Sequence, residues 1–459
     1  MTTTSPSTTP ATAGLPHRLR APAGSVIPGS RPLAPVVGHD LWIPVVPAGS
    51  RRLVHLDYAA SAPPLESVAQ SVERLLPWYA SVHRGAGFPS AVSSDALAAS
   101  RALVAQFLGA RPDDTVVFTR NTTDSLNLLA RSLPADTTAF VLDLEHHANL
   151  LPWRRGRVRQ LETPRRVNDV PAVFEAALAG HRGPALVAVT GASNVTGELL
   201  PVAGISAVAH RHGARIVVDA AQLAPHRPID LAATDVDYVV FSGHKIYAPY
   251  GAGVLAGRAD WLDAATPYLA GGGAVGEVGL DRVSWATGHA RHEAGTPNVP
   301  GAVAIAAACA ALESIGWDAI DAHDRALTEH AADRLAGVPG CRGVLAAFED
   351  ADRVSILALA LDRPAAEVAA ALSAEHAIAT RDGAFCAHPL MRRLAGVGDS
   401  APVPNAVRIS FGVGSTLADV DALAEALTAI TTRGPRAAYA VHDGRLVPDV
   451  DTRVRPTFW

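Results

Sequence analysis

The sequence of 459 residues contains a single lysine, although lysine and arginine together number 39. Arginine supplies the rest of the positive charge, so the one position that keeps lysine, Lys245, needs a chemical explanation. A lysine amine can lose its proton and act as a nucleophile, whereas a guanidinium effectively cannot. A nucleophilic amine, most often one that forms a Schiff base with a carbonyl compound, is the leading interpretation. A leftover surface lysine is the alternative.

Other scarce features exclude whole classes of protein. The three cysteines, Cys309, Cys341 and Cys386, are too few for a disulfide framework and lack the C-x-x-C spacing of zinc sites. No apolar run reaches the roughly 18 residues of a membrane helix, and the N-terminus lacks the pattern of a secretory signal. The net charge of −5 gives no reason to expect nucleic acid or an anionic membrane as a partner. We therefore expect a cytoplasmic protein that binds neither.

Composition and periodicity divide the chain into four regions. Residues 1–50 are rich in Pro, Ser, Thr and Ala, and we expect the first thirty to be disordered. Residues 51–310 alternate β-rich runs with helical patterns, which predicts a large α/β domain with a mostly parallel sheet between helices. Residues 311–432 predict a smaller α+β domain, and residues 433–459 form an extension without a predicted role. The predicted strands of the large domain are Thr115–Phe118, Ala139–Leu144, Ala185–Thr190, Arg215–Asp219, Tyr238–Phe241 and Val254–Ala256.

An acid and the lysine follow two of these strands. In open α/β sheets, ligands bind beyond the carboxyl ends of the strands. Asp219 ends an apolar strand, and an acid there can pair with the protonated pyridine nitrogen of pyridoxal phosphate. An Asp that only caps the next helix is the alternative. Lys245 lies 26 residues later, after a strand predicted to be the neighbour, and this favours the cofactor interpretation.

Hydroxyl groups cluster where a phosphate would bind. Thr122 and Thr123 follow a strand and open a helix, and hydroxyls with free N–H groups at a helix start form a phosphate cradle. An ordinary helix cap explains the same residues equally well. Ser242 and His244, beside the lysine, could add further phosphate donors.

A histidine and an asparagine follow two other strands. His146 could stack on a planar cofactor and also move protons. With His147 it could instead bind a metal, but no third ligand stands at a diagnostic spacing, so we expect no metal. Asn194 lies in a turn and could hydrogen-bond a cofactor ring.

Seven segments carry a family resemblance. They occur in the order Ser81–Gly85, Phe118–Thr123, Glu145–Asn149, Ser193–Gly197, Val218–Gln222, Ser242–Lys245 and Glu293–Asn298. Together they resemble the class V aminotransferase superfamily, most closely its group II cysteine desulfurase and selenocysteine lyase branch, over about residues 50–430. The resemblance implies a pyridoxal-phosphate-dependent homodimer of fold type I, with a mostly parallel seven-stranded sheet and a smaller α+β domain.

The resemblance also implies a role for each site residue. Lys245 would hold the cofactor as a Schiff base, Asp219 would pair with the pyridine nitrogen, and Gln222 would bind the phenolate oxygen. His146 would stack on the ring. The phosphate would be held by Thr123, Ser242 and His244, together with Thr296 from the neighbouring subunit.

Cys386 decides which reaction the resemblance implies. Its loop resembles the desulfurase loop whose cysteine attacks the substrate sulfur and keeps it as a persulfide. Neighbouring arginines lower the pKa of a thiol and favour the nucleophilic thiolate. Arg408 resembles the arginine that binds the substrate carboxylate, a bidentate task that suits guanidinium, and Arg381 would assist it.

The chain departs from the desulfurase pattern near the substrate. Ala384 and Phe385 replace the two histidines that usually precede the cysteine. A histidine becomes Gly87, a glutamate becomes Ala274, and Val413–Ser415 replaces a Tyr-Asn pair. Apolar surroundings raise the pKa of a thiol and oppose the arginine effect, and the sequence leaves this balance open.

The expected function is that of a cysteine desulfurase. It would convert L-cysteine to L-alanine, with the α-proton moved by Lys245 or His146 and the sulfur left on Cys386 for a sulfur-acceptor protein. One alternative is a C–S or C–N lyase, epimerase or aminotransferase acting on another amino acid. The other is a catalytically silent binding protein that keeps the cofactor.

Overall fold

The computed structural model describes residues 28–83 and 85–459. Most of the segment predicted to be disordered, up to residue 27, lies outside these residues, as does Arg84 of the Ser81–Gly85 segment. After residue 28 the chain forms a short antiparallel ribbon in which Trp42–Pro44 pairs with Ser50–Arg52.

A mixed seven-stranded sheet forms the centre of the large region. Its strands are Asp114–Thr119 (β1), Thr138–Leu142 (β2), Arg157–Leu161 (β3), Ala185–Thr190 (β4), Arg215–Asp219 (β5), Tyr238–Ser242 (β6) and Gly253–Arg258 (β7). Their order across the sheet is β1-β7-β6-β5-β4-β2-β3. Strands β2 to β6 pair in parallel, and β7 runs antiparallel to both β1 and β6. The predicted α/β class with a mostly parallel sheet is confirmed.

Helices cover both faces of this sheet, and further helices belong to the C-terminal region. They are Glu66–Leu75 (α1), Phe88–Phe107 (α2), Thr122–Ser132 (α3), Val170–Leu178 (α4), Val202–Arg211 (α5), Leu231–Thr234 (α6), Ala259–Ala264 (α7), Val299–Ile315 (α8), Trp317–Ala336 (α9), Ala365–His376 (α10), His388–Leu394 (α11) and Leu417–Arg433 (α12). Single 3₁₀ turns follow two of the strands, at His147–Asn149 and Gly243–Lys245.

The alternating residues of the central strands explain why helices lie on both sides. Ile216 of β5 packs into the same buried cluster as Phe174 of α4, whereas Val217 packs into a second cluster with Leu126 of α3. A strand covered on both faces needs apolar residues at every position, which is why β5 reads as a continuous apolar run. The sheet thereby becomes a rigid support whose carboxyl-terminal edge carries the polar residues.

A second, antiparallel sheet of four strands lies in the C-terminal region. Its strands are Cys341–Val344 (β8), Ile356–Leu361 (β9), Arg381–Gly383 (β10) and Ala406–Ser410 (β11), in the order β8-β9-β11-β10. Helices α9, α10 and α12 pack on it around a separate buried cluster. Val54–His55 pairs in parallel with Ile378–Ala379, so the chain before the large sheet also reaches this region. The division at residues 310 and 311 remains a prediction, and it falls within α8.

The C-terminal extension is folded against α10. Tyr439–His442 and Arg445–Pro448 form an antiparallel hairpin. Glu375 of α10 is only 1% exposed. Its carboxylate accepts hydrogen bonds from the backbone N–H groups of Arg436 and Ala437 and from the hydroxyl of Tyr439. These bonds fix the start of the extension, for which the sequence predicted no role.

Within residues 28–83 and 85–459, no single helix is long and apolar enough to cross a membrane. Helices α8 and α9 meet the length and composition test only as a pair, and they are bent by 82° at their junction. The cytoplasmic location remains a prediction.

Candidate active site

The predicted site residues meet in one cavity of about 260 Å³ beyond the carboxyl ends of β4, β5 and β6. Those that line it are Thr122, Thr123, His146, Asn194, Asp219, Gln222, Ser242, His244, Lys245, Arg381, Cys386 and Arg408. Thr296 is exposed and does not line the cavity of its own chain. Residues from both sheets therefore line one cavity. This cavity lies at the carboxyl ends of the parallel strands, where ligands bind in open α/β sheets.

Lys245 ends the 3₁₀ turn that follows β6 and projects into the cavity. Desolvation lowers the pKa of its amine to about 8, with Asp219 opposing the shift and Arg408 assisting it. Among the residues that the structure describes, its Nζ atom makes no hydrogen bond or ion pair. A half-buried amine with this pKa is partly unprotonated near neutral pH, which is the state a nucleophile requires.

Asp219, at the end of β5, is 4% exposed. One of its oxygens, Oδ1, accepts a hydrogen bond of 2.9 Å from the backbone N–H of Ala221. Burial raises the pKa of the carboxyl group, while the charge of Lys245 and the Ala221 bond lower it. A buried acid of this kind suits a cationic ring nitrogen as a partner.

Gln222 supplies an independent sign that the cavity accommodates a polar group. Its Nε2 donates a hydrogen bond of 2.8 Å to the carbonyl oxygen of Ala59. Its Oε1 is buried and has no hydrogen-bond partner in the described part of the chain. Buried polar atoms are nearly always bonded, so this orphaned oxygen is available to accept a hydrogen bond from a polar ligand. These donors and acceptors fit pyridoxal phosphate.

His146 precedes the 3₁₀ turn that follows β2. Its Nδ1 accepts a hydrogen bond of 3.0 Å from the backbone N–H of Ala148, which assigns the ring proton of the neutral histidine to Nε2. Burial lowers the pKa of His146 to about 3, with Lys245 and His147 adding to the effect. A neutral ring held in this way can stack on a flat ligand, but it is a weak base near neutral pH.

The residues predicted to form a phosphate cradle lie at the N-terminus of α3. The Oγ of Ser242 accepts a 2.8 Å hydrogen bond from the backbone N–H of Thr122 and lies 2.7 Å from the Thr122 hydroxyl. Thr123 is exposed to the cavity beside them. Burial, assisted by the charge of Lys245, lowers the pKa of His244 to about 4, so this ring acts as a neutral hydrogen-bonding group. The helix N-terminus and hydroxyls together suit an anion.

A close backbone contact holds this cradle in place. Gly253 opens β7 beside Asn121, the residue that caps α3 by accepting a 2.9 Å hydrogen bond from the Asp124 backbone N–H. A Cβ atom at Gly253 would lie 2.6 Å from the Cα atom of Asn121. Only glycine therefore lets α3 begin at this position.

Arg408 lies in β11 with 3% exposure and has its charge balanced by Asp57. Its Nη2 lies 3.2 Å from Asp57 Oδ1, and its Nη1 donates a 2.8 Å hydrogen bond to the carbonyl oxygen of Asn194. Asp57 also lies 3.8 Å from Nη1 of Arg381, which is half exposed. The Nε atom of Arg408 is buried without a partner in the described residues, which leaves a donor for a ligand. Burial lowers the pKa of Arg408, and Asp57 opposes the shift.

Cys386 is exposed and lies on a strained turn at the edge of the cavity. Phe385 and Cys386 both have positive φ angles, of 53° and 54°. Residues in this left-handed region cost about 1–3 kcal/mol each and persist only where their surroundings hold them. The carbonyl oxygen of Cys386 accepts a 2.8 Å hydrogen bond from the His147 backbone N–H, and that of Phe385 a 2.7 Å bond from Asn194 Nδ2.

For three residues at or next to the site, the sequence predicted no functional role. Asp57 precedes a small Ala-Ala turn and carried no motif, yet it pairs with both arginines. Phe385 was noted only as a replaced histidine, yet its ring lies against Arg408. Glu145 is fully buried, its two oxygens accept bonds from the Thr190 N–H and the Asn149 side chain, and burial raises its pKa to about 8. An acid directly before His146 in the sequence was the available signal.

The described residues contain no group of three or more His, Cys, Asp or Glu side chains placed to hold a metal ion.

Comparisons with known proteins agree with the resemblance predicted from the sequence. The aminotransferase class-V family matches residues 54–423. A probable cysteine desulfurase of Vibrio cholerae is 36% identical over 388 residues, which cover 82% of this chain and 93% of the relative. A probable cysteine desulfurase of Mycolicibacterium paratuberculosis is 35% identical over 400 residues, but the match spans only 56% of that longer protein. The crystal structure of the cysteine desulfurase CsdA from Escherichia coli is 33% identical, with a TM-score of 0.69 over 82% of this chain and 94% of that one.

Proposed function

The chain belongs to the aminotransferase class-V family, and from that premise we propose that it is a pyridoxal-phosphate-dependent cysteine desulfurase. It would transfer the sulfur of L-cysteine to Cys386 and release L-alanine. The observation that carries this proposal is the meeting of Lys245, Cys386 and Arg408 in one cavity. An amine for the cofactor, a thiol for sulfur and a guanidinium for a carboxylate are the groups that this reaction needs. Relatives named as cysteine desulfurases support the proposal.

The cofactor would be held by groups that already lie in place. Lys245 would bind its aldehyde carbon, Asp219 would bind its ring nitrogen, and Gln222 would donate the second N–H of its Nε2 to the phenolate oxygen. The phosphate would lie against Thr122, Thr123, Ser242 and His244, with His146 on the ring and Asn194 beside it. When bound, pyridoxal phosphate supplies an electron sink for negative charge on the substrate's α-carbon.

Lys245 is the better candidate than His146 for moving the α-proton. A general base works best when its pKa lies near the operating pH. The pKa of Lys245 is lowered to about 8, whereas that of His146 is lowered to about 3 and its Nδ1 already accepts a hydrogen bond. His146 would therefore stack and orient, and Lys245 would carry the proton.

Arg408 and Cys386 would act on opposite ends of the substrate. The free donors of Arg408 would bind the α-carboxylate, with Arg381 assisting from the cavity edge. The Cys386 thiolate would attack the substrate sulfur, so that an S–S bond forms while the substrate C–S bond breaks. The C–S electron pair stays with the substrate carbon, which takes up a proton. One L-cysteine and one enzyme thiol thus give one L-alanine and one enzyme persulfide.

A second copy of the chain and a sulfur acceptor complete the proposal. Thr296 is exposed and does not line its own cavity, which suits a contribution to the phosphate site of a neighbouring subunit in a homodimer. Cys386 is exposed, so its persulfide would be open to attack by the thiol of an acceptor protein.

The test is production of L-alanine and sulfide from L-cysteine with a thiol reductant. Cys386→Ala should abolish this activity and leave the cofactor absorbance intact, because Cys386 has no part in holding the cofactor. Cys341→Ala, which changes a half-buried thiol outside the cavity, is the matched control and should keep full activity. Full turnover by Cys386→Ala would remove the nucleophile assignment. No turnover of cysteine by the wild type, with consumption of another amino acid, would favour the lyase, epimerase or aminotransferase alternative.

A further inference from the structure

Phe385 is a buried aromatic residue in the loop of the sulfur nucleophile. It is 6% exposed, yet it lines the cavity together with Cys386 and Arg408. Its ring centroid lies 5.1 Å from the Cζ atom of Arg408, within the range of a cation–π contact. The guanidinium is itself 3% exposed, and such contacts are stronger when water is excluded.

The three residues Phe385, Asn194 and Arg408 hold each other in a closed cycle. The Asn194 side-chain amide donates a 2.7 Å hydrogen bond to the Phe385 carbonyl oxygen. The Asn194 carbonyl oxygen accepts a 2.8 Å hydrogen bond from Arg408, whose guanidinium in turn contacts the Phe385 ring. The Nε atom of Arg408 is buried and has no hydrogen-bond partner among the described residues, so this N–H group is free to donate.

We propose that Phe385 is a positioning residue that orients Arg408 for the carboxylate of an amino-acid ligand. The ring lies against the guanidinium and limits its rotation, so that the unpartnered Nε donor is held ready for a carboxylate. Because Cys386 follows directly in the same strained turn, the carboxylate site and the nucleophile are set by one loop. This inference rests on the proposed function in assigning the carboxylate to Arg408.

The test measures ligand binding apart from sulfur chemistry. L-Alanine carries the carboxylate without the sulfur, and cysteamine carries the amine and sulfur without the carboxylate. Binding of each is followed by the absorbance change of the holoenzyme. Phe385→Leu should raise the Kd of L-alanine roughly five- to thirtyfold, the fold-change expected for loss of a desolvated cation–π contact. The Kd of cysteamine should not change, and KM for L-cysteine should rise more than kcat falls.

Rescue and a matched control separate positioning from a general loss of structure. Phe385→Tyr keeps the ring and should bind L-alanine as the wild type does. Phe348→Leu makes the same change at a residue of 5% exposure that does not line the cavity, and it should leave the Kd of L-alanine unchanged. If Phe385→Leu does not fold, Phe385→Met provides the ringless variant.

Unchanged L-alanine binding in the ringless variant would overturn the proposal, and so would an equal loss for cysteamine. Absence of desulfurase activity in the wild type would instead count against the proposed function, because L-alanine binding is measured without it.

Discussion

Replacing Gly253 by alanine should weaken binding of pyridoxal phosphate, because the new methyl group would displace the cradle for its phosphate. The Cβ atom would lie 2.6 Å from Cα, 2.7 Å from the carbonyl carbon and 2.9 Å from the nitrogen of Asn121. All three are backbone atoms, so no side-chain rotation relieves the contact. Separation to even 3.0 Å requires the start of α3 to move by about 0.4 Å.

That movement acts on the groups that would bind the phosphate. The Thr122 N–H and hydroxyl lie 2.8 and 2.7 Å from Ser242 Oγ, so a displaced α3 lengthens both contacts. Overpacking of this kind costs about 1–3 kcal/mol. If the cost falls on the cradle, the affinity for pyridoxal phosphate drops between about fivefold and about a hundredfold.

The assay is a titration of apoenzyme with pyridoxal phosphate, followed by absorbance, together with the Tm of the apoenzyme. Gly180→Ala is the control, because a Cβ atom there meets nothing within 4 Å. Wild-type affinity in a folded Gly253→Ala variant would refute the assignment of the start of α3 as the phosphate cradle.

Three further predictions concern charge. Asp57→Asn breaks the ion pair with buried Arg408 and should lower the free energy of unfolding, measured by urea titration, by about 3 kcal/mol, the low end for a buried pair. The control variant Asp382→Asn, at an exposed position, should leave the free energy of unfolding unchanged. Because burial lowers the pKa of Lys245 to about 8, the rate at which apoenzyme captures pyridoxal phosphate should rise with pH up to about 8 and then level; a rate that is flat from pH 6 to 9 would contradict this. Burial raises the pKa of Glu375, but hydrogen bonds from Ala437 and Arg436 outweigh it and lower the pKa below 4.5. The ionised carboxylate therefore stabilises the folded protein above pH 4.5, and this stabilisation is lost as the pH falls through the lowered pKa. Glu375→Gln should therefore cost about 2 kcal/mol of unfolding free energy at pH 7 and little in strong acid, and an equal deficit at both would count against it.

The parts of the fold that sequence predicts well are those buried on both sides. Ala185–Thr190 and Arg215–Asp219 were predicted with their correct ends, because their interior residues are buried on both faces and must be small, apolar or β-branched. Arg157–Leu161 escaped prediction, because this edge strand is largely exposed and its arginines give no apolar pattern. The antiparallel direction of Gly253–Arg258 was not predicted either, because strand direction depends on the path of the connecting chain and not on the local residue pattern.

The site shows the same division. Asp219, Asn194 and Lys245 could be located because each follows a recognisable strand, and the strand ends of one sheet lie together. Asp57 could not, because its partners Arg381 and Arg408 lie on strands of the second sheet, far away in sequence. The contact of the Phe385 ring with Arg408 could not either, because it depends on how the cysteine loop folds back on a strand of that sheet.

The proposed function depends most on a covalent bond between Lys245 and pyridoxal phosphate, and one measurement tests that bond directly. Holoenzyme is reduced with borohydride, digested and mapped by mass spectrometry, with Lys245→Arg treated in parallel. We expect a single reduced pyridoxyl adduct, on the peptide that contains Lys245, and no adduct and no cofactor absorbance in the variant. A wild-type protein that takes up no pyridoxal phosphate, or a variant that retains the reduced adduct, would contradict it.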